Sequence, residues 1–303
     1  MKKFLSLVLL TGVLLACLTG CTQNKARDTD KIKIMTTVFP QYSFAKELAG
    51  DKCEVSMLIP PGGESHSFEP TTSDILELSK CDIFIYTGGE SDGWIDGILA
   101  TVNNPKMKTV SLVDCVETIE TTDDHNHSKT DEHVWTSPIN AIAICEKITE
   151  ALKSVDEENA SYYDTQLATY KEKLGALDLK FRDIAENGVR NTIVFGDRFP
   201  LTYFAHEYGL EYKAAFPGCS EDTEVSASTV KELVDYVKSE NIPVVYKIEL
   251  SSGNIADTIA DETNAEVMTF YSCHNISKDD FEKGESYLSL MEKNAESLKI
   301  ALY

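Results

Sequence analysis

Short apolar runs alternate with helical patterns along both halves of the chain. In the first half the apolar runs predict strands, each followed by a helical pattern, at residues 32–38 and 39–50, 53–60 and 70–80, and 81–88 and 91–102. Strands and helices that alternate at this spacing form βαβ units, which build parallel sheets. The alternation returns from Asn191, with further strands predicted over 191–196, 242–249 and 265–271. The pattern therefore predicts an α/β fold with two lobes, each a parallel sheet flanked by helices.

A different pattern separates the two halves. Apolar residues recur at alternating steps of four and three at Tyr163, Leu167, Tyr170, Leu174, Leu177, Phe181 and Ile184. This spacing predicts one helix from about Ser161 to Glu186, roughly 40 Å long, after a shorter helix over 139–153. A coiled-coil dimer is the alternative, but three heptads with tyrosines on the seam would pair weakly. We interpret the long helix as a rigid strut packed on both lobes of a monomer.

These patterns predict the division of the chain. A first lobe occupies residues 31–137, linking helices occupy 138–188, and a second lobe occupies 189–303. Residues 1–20 combine Lys2 and Lys3 with a short apolar stretch, which indicates a secretory signal peptide. The signal ends in LTGC, similar to a bacterial lipobox, so we expect a lipid on Cys21 and a flexible tether over 21–30. The predicted location is extracytoplasmic, on the outer face of the cell membrane. An ordinary signal with a chance cysteine is the alternative.

Charge and cysteine content limit the function classes. The formal net charge is −22, which argues against nucleic-acid binding because that needs a basic face. Six cysteines follow Cys21, and an even number in an exported chain permits disulfides: Cys53, Cys81, Cys115, Cys145, Cys219 and Cys273. The pairs Cys53–Cys81 and Cys219–Cys273 are the predicted bridges. Reduced, buried thiols are the alternative for all six.

Three histidines from distant segments provide the candidate chemistry. His66, His133 and His274 each stand at or near the carboxyl end of a predicted strand. Ligands of open parallel sheets bind beyond those strand ends, and imidazole favours borderline cations such as zinc. We therefore predict a metal site assembled by the fold. A surface-loop histidine is the alternative for each one alone.

Other polar residues compete for places near this site. Asp197 and Glu249 each follow a predicted strand and are the candidates for an oxygen ligand, with a structural salt bridge to Arg198 as the alternative for Asp197. His125 and His127 lie in an acidic, polar tract that is typical of a solvated loop. They are candidates for loose metal capture near the site, or incidental residues of a linker. His206 falls within a helical pattern and is interpreted as structural.

These residues also carry a family resemblance. The LTGC segment, GGESHSFEPTTSDI around His66, DEHVWTSP around His133, the closing YLSLMEKNAESLKIAL and the long linking helix resemble the metal-binding lipoproteins of bacterial ABC importers for zinc and manganese, also called "adhesins". The resemblance implies two α/β lobes, one metal between them and no catalysis. His66 and His133 match the first two ligands of that family. The third position falls at Gly196–Asp197, where only Asp197 can ligate, and His274 replaces the usual aspartate at the fourth.

The leading functional prediction is a solute-binding protein that captures Zn²⁺ and delivers it to an ABC permease with its ATPase. Three imidazoles and one carboxylate suit tetrahedral zinc, whereas two carboxylates would favour Mn²⁺. A zinc-dependent hydrolase is the alternative from another class, with an open metal position for water and Glu249 or Asp197 as base. No HExxH motif or nucleophile elbow supports it. Surface adhesion has no motif of its own.

Overall fold

The first lobe is built on a parallel sheet of four short strands. A computed structural model describes residues 31–63, 68–89, 92–122, 128–218 and 225–303. The strands are β1 (Ile32–Thr36), β2 (Cys53–Met57), β3 (Ile83–Tyr86) and β4 (Lys108–Ser111), in the order β2-β1-β3-β4. Helices α1 (Phe39–Ala49), α2 (Thr72–Leu78) and α3 (Gly93–Leu99) connect them. A small antiparallel hairpin follows, formed by β5 (Glu120–Thr122) and β6 (Ser128–Thr130).

Two helices lead out of this lobe. Helix α4 (Pro138–Val155) begins with a proline, which is favourable at the first helical position, and the Ser137 hydroxyl accepts a hydrogen bond from the Asn140 N–H. Helix α5 (Ala160–Asn187) is the predicted strut. Its apolar stripe is buried except for the half-buried Leu167. Because that stripe packs inside the chain, it is not available as a coiled-coil seam.

The second lobe repeats the topology of the first. Strands β7 (Thr192–Phe199), β8 (Glu211–Pro217), β9 (Val244–Lys247) and β10 (Glu266–Thr269) form a parallel sheet in the order β10-β9-β7-β8. Helices α6 (Thr202–Tyr208), α7 (Ala227–Ser239) and α8 (Asn254–Asp261) connect them. In each sheet the strand order reverses between the first and third strands, β1/β3 and β7/β9. Open α/β sheets bind ligands at such switch points.

The chain closes with α9 (Lys278–Glu282) and α10 (Tyr287–Leu302). Tyr287 ties α10 to the first lobe: its N–H donates to Ser43 Oγ at 2.9 Å, and its ring packs edge-on against Phe44 at 4.8 Å. One hydrophobic core runs from the first sheet through α4, α5 and α10 into the second sheet. Residues Ile32–Tyr303 accordingly form one compact unit. The predicted fold of two α/β lobes joined by a long helix is confirmed.

The cysteines require a correction. Cys81, Cys115, Cys145 and Cys273 are free thiols. The predicted Cys53–Cys81 bridge is not formed, because Cys53 lies in the large interlobe core, 3.6 Å from Tyr163 Oη, and Cys81 lies in the small core on the other face of the sheet. The predicted Cys219–Cys273 bridge is not formed either, since Cys273 is a fully buried thiol, and Cys219 falls outside the described residues. Burial raises the pKa of the Cys81 thiol to about 11, so the thiol is protonated at neutral pH.

The described ranges contain no helix with the length and apolar character needed to cross a bilayer. The predicted signal peptide, Cys21 and the tether lie outside these ranges, as do His66, His125 and His127.

Candidate metal centre

A cavity of about 420 Å³ lies where the two lobes meet. His133 lines it from the first lobe, and Asp197, Glu249 and His274 line it from the second. The structure thus brings together every predicted ligand that it describes. His66 belongs to a segment that is not described, although Gly63, three residues before it, also lines the cavity.

His133 is held in one orientation by a buried aspartate. Its backbone N–H and its ring Nδ1 both contact Asp131 Oδ1, each at 2.9 Å. Burial alone would raise the pKa of Asp131, but the hydrogen bond and positive charge of His133, with a bond from Thr202, lower it to about 2. The carboxylate therefore stays charged and accepts a hydrogen bond from the Nδ1–H of His133. This leaves the lone pair on Nε2, the arrangement found in carboxylate–histidine–zinc sites.

His274 lies on the segment after β10, and the carboxylate of Glu249 holds this segment by hydrogen bonds. The Glu249 carboxylate accepts hydrogen bonds from Ser272 N at 2.7 Å, from Ser272 Oγ at 2.6 Å and from His274 N at 3.1 Å. Burial raises the pKa of Glu249 above its ordinary value, and these hydrogen bonds offset part of that rise. The carboxylate, predicted as an oxygen ligand, is used here to fix the backbone that presents His274.

Asp197 requires a correction to its position. It lies inside β7 rather than beyond its end, at an irregularity where the register with β8 shifts between Phe195 and Arg198. Its Oδ1 accepts from Arg198 N at 2.8 Å and its Oδ2 from Ile248 N at 3.3 Å, so the carboxylate joins β7 to the end of β9. Each carboxylate oxygen has a second lone pair, so these bonds do not prevent metal ligation.

The imidazoles of His133 and His274 are in edge-to-face contact although they come from different lobes. Their ring centroids are 5.3 Å apart with planes at 81°. Within the described ranges, no three His, Cys, Asp or Glu side chains by themselves form a group that could hold a metal ion. A complete ligand set therefore needs a residue outside those ranges or a movement of a carboxylate.

The sequence patterns did not single out Asp131 and Ser272, which support the two histidines. An acid two residues before a histidine, as in DEH, is a usable signal for Asp131. Nothing near Ser272 in the sequence indicates its contact with Glu249, which is 23 residues away.

Comparison with known proteins assigns the chain to a family. The model of the family described as "Zinc-uptake complex component A periplasmic", ZnuA, matches residues 34–301. The chain belongs to this family. The suspected resemblance is thereby confirmed at the level of the family.

Two curated relatives belong to zinc systems by name. "Zinc-binding lipoprotein AdcA" of Streptococcus pneumoniae is 32% identical over 302 residues, which cover 96% of this chain and 60% of the relative. The chain thus spans 60% of the length of that relative. "High-affinity zinc uptake system protein ZnuA" of Bacillus subtilis is 30% identical over 315 residues, 99% of this chain and 98% of the relative.

A solved structure shows the same fold. The crystal structure of the Zn(II)-bound ZnuA-like domain of Streptococcus pneumoniae AdcA superposes with a TM-score of 0.76 at 30% identity. The match covers 90% of this chain and 99% of that domain. The ZnuA family fold accounts for both sheets and for the linking helix.

Proposed function

We propose that this ZnuA family member is the extracytoplasmic solute-binding protein of an ABC importer, which captures Zn²⁺ between its lobes and delivers it to the membrane permease and its ATPase. The ligands of the proposed site are His66, His133, Asp197 and His274, with Glu249 as the alternative oxygen ligand. Family membership and the zinc systems named among its relatives support this proposal.

The observation that carries the proposal is the spacing of His133 and His274. Zinc binds imidazole nitrogen at about 2.0–2.1 Å, and the ring centroid lies about 1.1 Å further along that line, so tetrahedral geometry puts two centroids about 5.2 Å apart. The separation in this structure is 5.3 Å. The spacing is compatible with both imidazoles binding one tetrahedral zinc ion.

A carrier role suits this architecture better than hydrolysis. A hydrolase keeps an open coordination position beside a catalytic base, whereas the proposed set of four ligands leaves no open position and the Glu249 carboxylate holds the backbone of Ser272 and His274. Membership of a metal-uptake family supports the carrier role as well. The hydrolase alternative predicts zinc-dependent turnover of an ester or amide, and a carrier shows none.

The fold suggests how the metal is released. The core shared by both lobes and the strut α5 resist wide hinge motion, so we expect lobe movements limited to small tilts. Release then comes from permease contacts that shift a ligand-bearing loop. A change of tens of ångströms in the distance between the lobes on zinc binding, measured by single-molecule fluorescence, would contradict this mechanism.

Several further parts of the proposal concern residues outside the described ranges. We propose a signal peptide over 1–20, a lipid anchor on Cys21 with a tether over 21–30, and loose metal capture by His125 and His127. The lobe boundaries at 31–137, 138–188 and 189–303 and the monomeric state also remain predictions.

Metal analysis by mass spectrometry with competitive titration, on the chain beginning after Cys21, tests the function. One tightly bound zinc is expected. Its affinity should be much lower in His66→Ala and in His274→Ala. His206→Ala is the matched control, because His206 lies exposed on α6 and does not line the cavity. Preference for manganese, or unchanged binding in His274→Ala, would mean that the proposed ligand set is wrong.

A further inference from the structure

The Trp135 side chain contacts the rings of both His133 and His274. It lies two residues after His133, in the short 3₁₀ turn Val134–Thr136, and its side chain is fully buried, with 0% exposed. Its backbone oxygen accepts a hydrogen bond from Tyr287 Oη at 2.7 Å, which ties this turn to α10. The backbone that carries the indole is therefore held in place by α10.

The indole also makes a hydrogen bond to the second lobe. Its Nε1–H donates a hydrogen bond of 2.9 Å to the backbone oxygen of Ser272, two residues before His274. The N–H and the hydroxyl of Ser272 are held from the opposite side by Glu249. The segment carrying His274 is thus fastened both to its own lobe and to the first.

Three rings form a nearly equilateral triangle. The indole is 5.4 Å from the His133 ring and 5.3 Å from the His274 ring, and the two imidazoles are 5.3 Å apart. Each imidazole therefore packs against the same indole, which is itself immobilised by hydrogen bonds at its ring nitrogen and at its backbone oxygen.

We propose that Trp135 is a positioning residue that sets the separation of His133 and His274 across the two lobes; this inference rests on the proposed zinc function. The indole packs against both imidazoles, and its N–H anchors the segment that carries one of them. A phenyl ring would preserve most of the packing and lose the anchor. The separation that suits a tetrahedral ion is then no longer enforced.

This role has a signature that general loss of stability lacks. A loosened spacing removes the geometry that favours tetrahedral zinc, and manganese, which prefers octahedral oxygen sites, depends on it less. We therefore expect the ratio of zinc affinity to manganese affinity to fall. A protein that is merely destabilised would lose affinity for both metals in parallel.

The test compares Trp135→Phe with Trp94→Phe in the chain beginning after Cys21. The sequence contains two tryptophans, and Trp94 lies in the small outer core, 5.8 Å from Phe68, which makes it a matched control. Zinc and manganese dissociation constants are measured by competitive titration, and circular dichroism checks folding. The Trp94→Phe protein keeps Trp135 as its sole tryptophan, so its emission should follow zinc with the same midpoint.

We expect Trp135→Phe to weaken zinc binding by about 10- to 100-fold, as for residues that orient metal ligands, and Trp94→Phe by less than about twofold. In the His274→Ala background, Trp135→Phe should add less than about twofold, because the residue it positions is gone. Unchanged zinc affinity in folded Trp135→Phe, or an equal loss in the His274→Ala background, would overturn the inference. A wild-type chain that binds no zinc, or an unaffected His274→Ala variant, would instead refute the proposed function.

Discussion

Gly196 permits the close contact between α8 and β7, and replacing it with alanine should disturb both stability and metal binding. A Cβ atom at this position would lie 2.4 Å from Ala256 Cα and 2.5 Å from Ala256 N, where ordinary contact begins at 3.4 Å. The clash is with backbone, so no rotamer change relieves it, and α8 must retreat by about 1 Å. Ala256 and Ile259 of this helix are fully buried against Val194 and Val245. Overpacking of this kind costs about 1–3 kcal/mol.

The retreat should also reach the metal cavity, because Asn254 and Ile255 of α8 line it. Urea unfolding followed by circular dichroism measures the loss of stability, and competitive titration measures zinc affinity. Gly175→Ala is the control: Gly175 lies within α5 with nothing within 4 Å of the added Cβ, so alanine should stabilise the protein by about 0.5–1 kcal/mol. If Gly196→Ala unfolds at the same urea concentration as the wild type, the packing argument is refuted.

Three further predictions concern the surroundings of the centre. Glu249→Gln replaces one acceptor oxygen by an N–H₂ group facing N–H donors, so zinc affinity measured by titration should fall about 10- to 100-fold through His274; an unchanged value would mean that Glu249 does not support that segment. Asn275→Asp keeps the size of the side chain but loses the hydrogen bond from Nδ2 to the Gly63 oxygen, and the off-rate of zinc in stopped-flow chelation should rise; an unaltered off-rate contradicts a role for this interlobe bond. Burial raises the pKa of Asp92 to about 6, above its unfolded value, so its protonated form stabilises the fold and this contribution is lost as pH rises from about 4 to above 6. Asp92→Asn should therefore gain stability relative to the wild type between pH 4.5 and pH 7.5 in urea titrations, and an equal difference at both pH values would contradict the assignment.

The fold was largely accessible from the sequence because its signals are local and periodic. The stripe from Tyr163 to Ile184 predicted a helix over 161–186, and the structure has it over Ala160–Asn187. Apolar runs bounded by turns located six of the eight strands of the two parallel sheets in the same way, whereas β4 and β8 were not predicted. The hairpin β5–β6 was not predicted, because its strands, ETT and SKT, contain no apolar residue that would indicate a strand.

The sequence predicted the positions of the site residues better than it predicted their roles. The carboxyl ends of β9 and β10 correctly indicated where Glu249 and His274 lie, whereas His133 follows the hairpin strand β6, which the sequence did not predict. Asp197 was placed beyond its strand because the apolar run ends at Gly196, whereas the strand continues through an irregularity that only the pairing with β8 reveals. The function of Glu249 as a hydrogen-bond acceptor depends on a residue 23 positions away, and long-range contacts of this kind leave no local pattern.

The hydrophobic core that passes without interruption through both lobes has a thermodynamic consequence. Neither lobe has a complete interior of its own, so heating should melt residues 32–303 in one cooperative transition. Any ion bound by the native state alone stabilises that whole transition, by about 4.1 kcal/mol at a free concentration 1,000 times its dissociation constant. A single cation at the interface would therefore raise the melting temperature of α5 and of both sheets together.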